Sequence, residues 1–321
     1  MSNMKILLTG GAGFVGSHLA EFFVSYGHKV YVLDNLTYAG RLDRLKHLNP
    51  KLLRFIFCDI SEPIANSVLN EIRDIDWIIA NAAESHVVRS IDDPVPFVRS
   101  NVLGTLNMLE AARKLSINRF LYTSTDEVFG VATENVKFTE DDALNPTNPY
   151  AATKAAGEML VKAWHRTFGV PTITTRTMNM FGERQHPEKF VPNTLRRLLK
   201  GQPLTIHTER GIPCTRHWLY VWNQASAIRF LLSNGKVGET YNISGEERNV
   251  LEIASSIAKL AGTNMNYGEI DVSLARRGGG DFNYAVDDSK IRKLGWFPGL
   301  DFEAGLRQTV AWTLENKDWL E

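Results

Sequence analysis

The chain has 321 residues, 44% hydrophobic and 22% charged, with 36 Lys plus Arg against 36 Asp plus Glu. This composition predicts a folded globular protein with one large core and a smaller lobe. It excludes a disordered chain and gives no overall field to recruit nucleic acid or an anionic membrane. Cys58 and Cys214 stand far apart without CxxC spacing, which argues against a disulfide framework or a metal site and for packing roles in a reducing compartment. No apolar run reaches transmembrane length, and the first residues enter a strand without a basic segment or cleavage site. The expectation is a cytoplasmic protein.

Lys5-Ile-Leu-Leu-Thr9 reads as a strand buried on both faces, Gly10-Gly-Ala-Gly-Phe-Val-Gly16 as a tight turn, and Ser17–Ser25 as an amphipathic helix. Strand, glycine turn and helix together make a pyrophosphate site: Gly10, Gly13 and Gly16 let an anion approach the unpaired amides of the helix start, near Phe14 and Val15. A second strand, Lys29–Leu33, delivers Asp34, whose carboxylate suits an adenosine ribose hydroxyl and repels a 2′-phosphate. NAD is favoured over NADP, with Arg41 and Arg44 nearby weighing the other way. A third strand, Leu53–Cys58, ends in Asp59 and Ile60, placed to flank an adenine.

Asp76–Ala80 is the fourth strand, and the loop Asn81–His86 at its end brings the small Ala82 and Ala83 against a cofactor. Ser85, His86 and Arg89 are candidates to meet a substrate, His86 more readily as a structural hydrogen-bonding residue. A long helix is expected from about Val95 to Leu115, its apolar residues at helical spacing. The fifth strand reaches Ser124 and Thr125, followed at once by Asp126 and Glu127. Taken alone, Ser-Thr-Asp-Glu is also an ordinary helix cap and first turn. Downstream, Pro149 suits the first turn of a helix on which Tyr150 and Lys154 share a face. An ammonium beside a phenol lowers the phenol's pKa, so this pair predicts a Tyr base near neutrality.

The strand and helix alternation predicts a doubly wound parallel α/β sheet of the Rossmann kind over residues 1–176, with segments from about 217–240 returning to it. An interleaved substrate lobe takes 177–321. Val170–Arg176 reads as the sixth strand. Strand 239–243, helix 250–258 and the closing helix around 302–312 are assigned to the lobe.

Several motifs carry a resemblance: Thr9–Gly16, Asp34-Asn-Leu-Thr-Tyr-Ala-Gly40, Ala82–Val87, Ser124-Thr-Asp-Glu-Val-Phe-Gly130, Asn148–Glu158 and Pro187–Pro192. Together they resemble the extended short-chain dehydrogenase/reductases, and within them the nucleotide-sugar 4,6-dehydratases, nearly end to end. The Thr-Asp-Glu triplet discriminates, because 4-epimerases of that superfamily have small residues there. The resemblance implies a bound NAD also contacted by Asn35, Thr37 and Asn101, and a nucleotide-diphosphate hexose as substrate. It implies catalysis by Thr125, Asp126, Glu127, Tyr150 and Lys154, no metal, and a homodimer through helices 101–112 and 150–164.

On the substrate side the resemblance implies Asn179, Glu188, Lys189, Phe190, His207, Arg216 and Arg277. Here the sequence also departs from the pattern. Val88 replaces an Asp, and Arg216-His217-Trp218 replaces Arg-Asp-Trp. Trp222-Asn223 stands where acidic residues are usual, and Arg276-Arg277-Gly-Gly-Gly280-Asp281 replaces Arg-Pro-Gly-His-Asp. A longer loop is expected at 209–213. A 4-epimerase or a decarboxylase on the same scaffold, and a non-catalytic NAD-binding protein, are the alternatives.

Overall fold

In β1 (Lys5–Thr9) alternate side chains enter different cores: Ile6 and Leu8 pack with Leu19, Phe23, Ile228 and Leu231, whereas Leu7 packs with Met108, Leu109 and Phe120. A strand covered on both faces needs an unbroken apolar run, which is what the sequence supplies. The computed structural model describes residues 3–130, 132, 137–271 and 285–321. β2 (Lys29–Asp34), β3 (Leu53–Phe57), β4 (Trp77–Ala80), β5 (Arg119–Thr125) and β6 (Thr172–Thr177) follow. β7 (Asn179–Phe181), β8 (Leu204–Glu209), β9 (Ile212–Pro213), β10 (Thr215–Tyr220), β11 (Thr240–Ile243), β12 (Glu246–Asn249) and β13 (Tyr267–Asp271) complete the strands among the described residues.

The main sheet has the order β11-β6-β5-β4-β1-β2-β3, with parallel pairing throughout. Helices Phe14–Ser25 and Val221–Asn234 cover one face, and Gly104–Leu115 and Pro149–Phe168 the other. Strand order reverses between β1 and β4, which opens a crevice at the carboxyl ends of those strands. Among the described residues no helix is long and apolar enough to cross a membrane.

Three elements differ from the sequence reading. Strand 240–243, assigned to the small lobe, is the edge of the main sheet, paired with β6. Its four residues, Thr-Tyr-Asn-Ile, are all buried, and nothing in so short a strand says which sheet takes it. The expected loop at 209–213 is a β8–β9 hairpin, with Arg210 at φ 51° and Gly211 at φ 80° forming the two-residue turn that matches strand twist. The small lobe has its own core, in which Phe181, Leu195, Trp218, Ile253, Phe302 and Leu306 meet.

The helix expected at 95–115 is interrupted. A π-helical turn at Val98–Leu103 separates Val95–Phe97 from Gly104–Leu115 and turns Asn101 inward, where it is 1% exposed.

Candidate active site

The crevice is a cleft of about 550 Å³. Its floor is the glycine turn, and the close packing there explains the glycines. A Cβ on Gly16 would fall 2.0 Å from the Gly10 carbonyl oxygen, and one on Gly10 2.7 Å from Ala82 Cα, so only bare backbone fits. The helix Phe14–Ser25 begins at Gly13 with no side-chain cap, which leaves its first amides for an anion. Gly10, Gly13, Phe14, Val15 and Gly16 all line the cleft.

Asp34, Asn35 and Thr37 line it at the end of β2, Asp59 and Ile60 at the end of β3, and Ala82, Ala83 and Ser85 at the end of β4. The Asp34 carboxylate accepts from the amides of Ala12 at 2.9 Å and Leu36 at 2.8 Å, which orients it; burial still raises its pKa. The two arginines that weighed towards NADP are committed elsewhere. Arg44 is buried on backbone carbonyls, and Arg41 lies 4.3 Å over the Trp319 ring. The residues present therefore fit a dinucleotide with a free ribose hydroxyl.

β5 carries Ser124 to the cleft and Thr125 to its cap position over the short 3₁₀ turn Asp126–Phe129. The capping alternative is thus real: Thr125 Oγ1 accepts from the Glu127 amide at 3.3 Å while donating to Asp126 Oδ1 at 3.1 Å. Asn148 caps helix Pro149–Phe168 by accepting from the Ala151 amide, and its amide nitrogen donates to Glu127 Oε2 at 3.0 Å. Tyr150 and Lys154 project from that helix into the cleft. Thr125 and Asp126 are buried beside Tyr150, whose phenol meets the Thr125 hydroxyl, and Glu127 adjoins them. Ser124 Oγ and Asp126 Oδ2 are buried without hydrogen-bond partners among the described residues, so both are available to a bound group.

The electrostatics of the site raise Asp126 and Tyr150 and lower Lys154. Burial, and then the Glu127 carboxylate, push Asp126 up to about 7, so it holds its proton near neutrality. Burial pushes Lys154 down to about 7 against the pull of Glu158. One expectation fails here: the Tyr150 phenol lies above, not below, its usual value. Burial is the first cause, Glu127 and Asp126 add to it, and the Thr125 hydrogen bond opposes. The Lys154 ammonium does not offset this because its Nζ turns to the Thr123 carbonyl, 2.6 Å away, over the Tyr122 ring.

The sugar-side expectations divide. Glu188 and Lys189 line the cleft. Arg89 does not, and stacks 3.7 Å over the Tyr38 ring. Phe190 packs on Trp218 in the small lobe, and Asn179, His207 and Arg216 lie on β7, β8 and β10 outside the cleft walls. Asn101, expected at the cofactor, instead bonds the backbone of Glu84 at 3.0 Å and Thr153 Oγ1 at 2.9 Å, holding the β4 loop against helix Pro149–Phe168. His86 caps the short helix Val87–Asp92. Cys58, expected only to pack, lines the cleft.

Among the departures, Val88 is exposed, buried His217 meets Ser244 Oγ at 3.2 Å, and Asn223 tethers Gly299 and Leu300. Arg277, Gly280 and their neighbours lie outside the described residues. Tyr38, Gln185 and His186 also line the cleft, and sequence reasoning missed them. Tyr38 stood inside the quoted Asp34–Gly40 motif, and its hydroxyl donates to Glu188 Oε1 at 3.1 Å. Asn148, the partner of Glu127, was likewise quoted without a role.

A family model described as GDP-mannose 4,6 dehydratase matches residues 7–309. The chain belongs to this family. It is 39% identical to a dTDP-glucose 4,6-dehydratase of Xanthomonas campestris, over 98% of this chain and 94% of that protein. Among solved structures, the dTDP-glucose 4,6-dehydratase DesIV of Streptomyces venezuelae, with NAD bound, superposes at a TM-score of 0.90. The two share 36% identity, covering 99% of each chain. A UDP-glucose 4-epimerase of Thermus thermophilus, also with NAD, superposes at 0.85 with 30% identity, covering 96% of this chain and 98% of that one. Dehydratases and epimerases thus share this fold, and only the residues of the site can separate the two activities.

Proposed function

We propose that the chain is an NAD-dependent 4,6-dehydratase of a nucleotide-diphosphate hexose, dTDP- or UDP-glucose, yielding the 4-keto-6-deoxy sugar. The observation that carries this reading is the pair of carboxyl groups at the end of β5. Asp126 is buried and protonated near neutrality, and Glu127 is held by Asn148 beside Tyr150. An epimerase has no water to eliminate and no use for a second, protonated carboxyl beside Glu127.

NAD, when bound, would supply the hydride acceptor for carbon 4 and the hydride donor for carbon 6. Tyr150, which must be ionised for the step, takes the proton of the sugar's 4-hydroxyl, and Thr125 and Lys154 assist it. Glu127 then removes the proton of carbon 5, which the new ketone acidifies, and returns a proton there when carbon 6 is reduced. Asp126 gives its proton to the departing 6-hydroxyl, and one water leaves. Gly10 to Gly16 and Asp34 hold the dinucleotide, and Ser85, Glu188 and Lys189 face the nucleotide sugar.

Incubation with NAD and a panel of nucleotide sugars, followed by mass spectrometry, tests the reading. Loss of one water supports it. An isomer of unchanged mass indicates an epimerase, loss of carbon dioxide a decarboxylase, and no turnover a binding protein. We further propose a cytoplasmic homodimer through helices 101–112 and 150–164, whose Leu103 and Met159 are exposed. Light scattering reporting a monomer would refute the dimer.

A further inference from the structure

Arg44 is among the largest fully buried side chains, 1% exposed, yet among the described residues it has no carboxylate within ion-pair distance. Four of its donors are spent on backbone instead. Nη1 donates to the carbonyls of Ala12, 2.9 Å away, and Ala39, and Nε and Nη2 both donate to that of Arg184, at 3.1 and 3.0 Å. These carbonyls come from three distant segments. Ala12 lies in the glycine turn and Ala39 in the loop after β2, both on the dinucleotide side of the cleft. Arg184 opens the segment after β7, whose Gln185, His186, Glu188 and Lys189 form the sugar-nucleotide side.

Arg184 stands at φ 60°, a left-handed conformation that a residue with a Cβ does not hold by preference. Something must over-determine it, and two charge-assisted bonds on its carbonyl do so. Trp319, near the end of the chain, completes the arrangement. Its ring lies 5.1 Å from the Arg44 guanidinium, and its Nε1 donates to the Gln185 carbonyl at 3.3 Å. A fork with three carbonyl partners transmits position in a way that a point charge on a flexible stem does not.

We propose that Arg44 is a positioning residue that couples the two halves of the cleft, so that ordering the dinucleotide loops orders the segment 184–189 for the nucleotide diphosphate, and the reverse. The inference rests on the function proposed above for the identity of the two ligands. Coupling between sites is reciprocal, so each ligand must tighten the other by one common factor.

The test measures the affinity of the full-length protein, stripped of dinucleotide, for NAD by calorimetry, with and without saturating dTDP or UDP. In the wild-type protein the diphosphate should tighten NAD by about fivefold or more. Arg44→Lys keeps the charge but cannot span the three carbonyls, and should bring that ratio close to one. With a turned-over nucleotide sugar, the same variant should raise KM about tenfold and change kcat much less, a division that general loss of structure does not produce. Trp319→Phe keeps a ring under the guanidinium and loses only the bond to Gln185, so it should lower the ratio in part; it also serves as the second test if Arg44→Lys does not fold.

No coupling in the wild-type protein would overturn the proposal. So would an unchanged ratio in a folded Arg44→Lys, or in Trp319→Phe if that alone folds, or a fall in kcat at constant KM. Because the binding arm needs no turnover, a chain that couples the two ligands yet dehydrates no sugar would refute the reaction and uphold the role of Arg44.

Discussion

Replacing Asp126 by Asn should make the protein more stable relative to wild type as pH rises, and inactive. In the folded chain burial and Glu127 raise this carboxyl from an ordinary value of 3.8 to about 7. Between those values the folded state keeps a proton that the unfolded state has lost, so the wild-type protein loses stability with rising pH. The slope is about 1.4 kcal/mol per pH unit, and the loss ends above pH 7. The full shift corresponds to about 4 kcal/mol, of which about 3 kcal/mol falls between pH 5 and pH 8. Asn is close in shape and does not ionise, so it removes this dependence while keeping an acceptor for the Thr125 hydroxyl. Urea unfolding of both proteins at pH 5, 6, 7 and 8, followed by circular dichroism, measures the difference. The gap should move in favour of Asp126→Asn by about 3 kcal/mol from the first pH to the last. A gap constant with pH would mean that Asp126 titrates normally, and the argument for a neutral acid at the end of β5 would collapse.

Glu127→Gln should spare oxidation at carbon 4 and cut elimination by about 10²- to 10⁴-fold. Reduced dinucleotide would accumulate in the first turnover without incorporation of solvent deuterium at carbon 5, and normal yields of 4-keto-6-deoxy product would remove Glu127 from its role. Gly16→Ala places a methyl 2.0 Å from the Gly10 carbonyl and should destabilise the turn by about 1–3 kcal/mol and weaken NAD binding. An unchanged calorimetric titration with NAD would count against that turn as the pyrophosphate site. Glu158→Gln strands the Arg176 guanidinium, buried at 1% exposure and paired at 2.8 Å, and should cost about 3–5 kcal/mol in denaturant unfolding. A loss below 1 kcal/mol would show the pair to be solvated.

Much of this protein is decided by local chemistry. The apolar runs of β1 and β4, the glycines of 10–16 and the Tyr150-Lys154 spacing are one-dimensional patterns with one physical solution each: burial on two faces, close backbone approach, and one helix face. Hence the sheet, the nucleotide turn and the catalytic helix are all legible in the chain. Tertiary structure alone decided which sheet received strand 240–243. It also turned Asn101 from the cofactor to Glu84 and Thr153, and brought Tyr38 to Glu188 across 150 positions. It set the sign of the Tyr150 shift as well, because a phenol's pKa depends on burial and on which way a neighbouring ammonium points, and the spacing of two residues on a helix contains neither. Arg44 is the extreme case. Its sequence neighbourhood suggested a charge for a phosphate, and the fold instead spends four of its donors on carbonyls from segments up to 140 residues away.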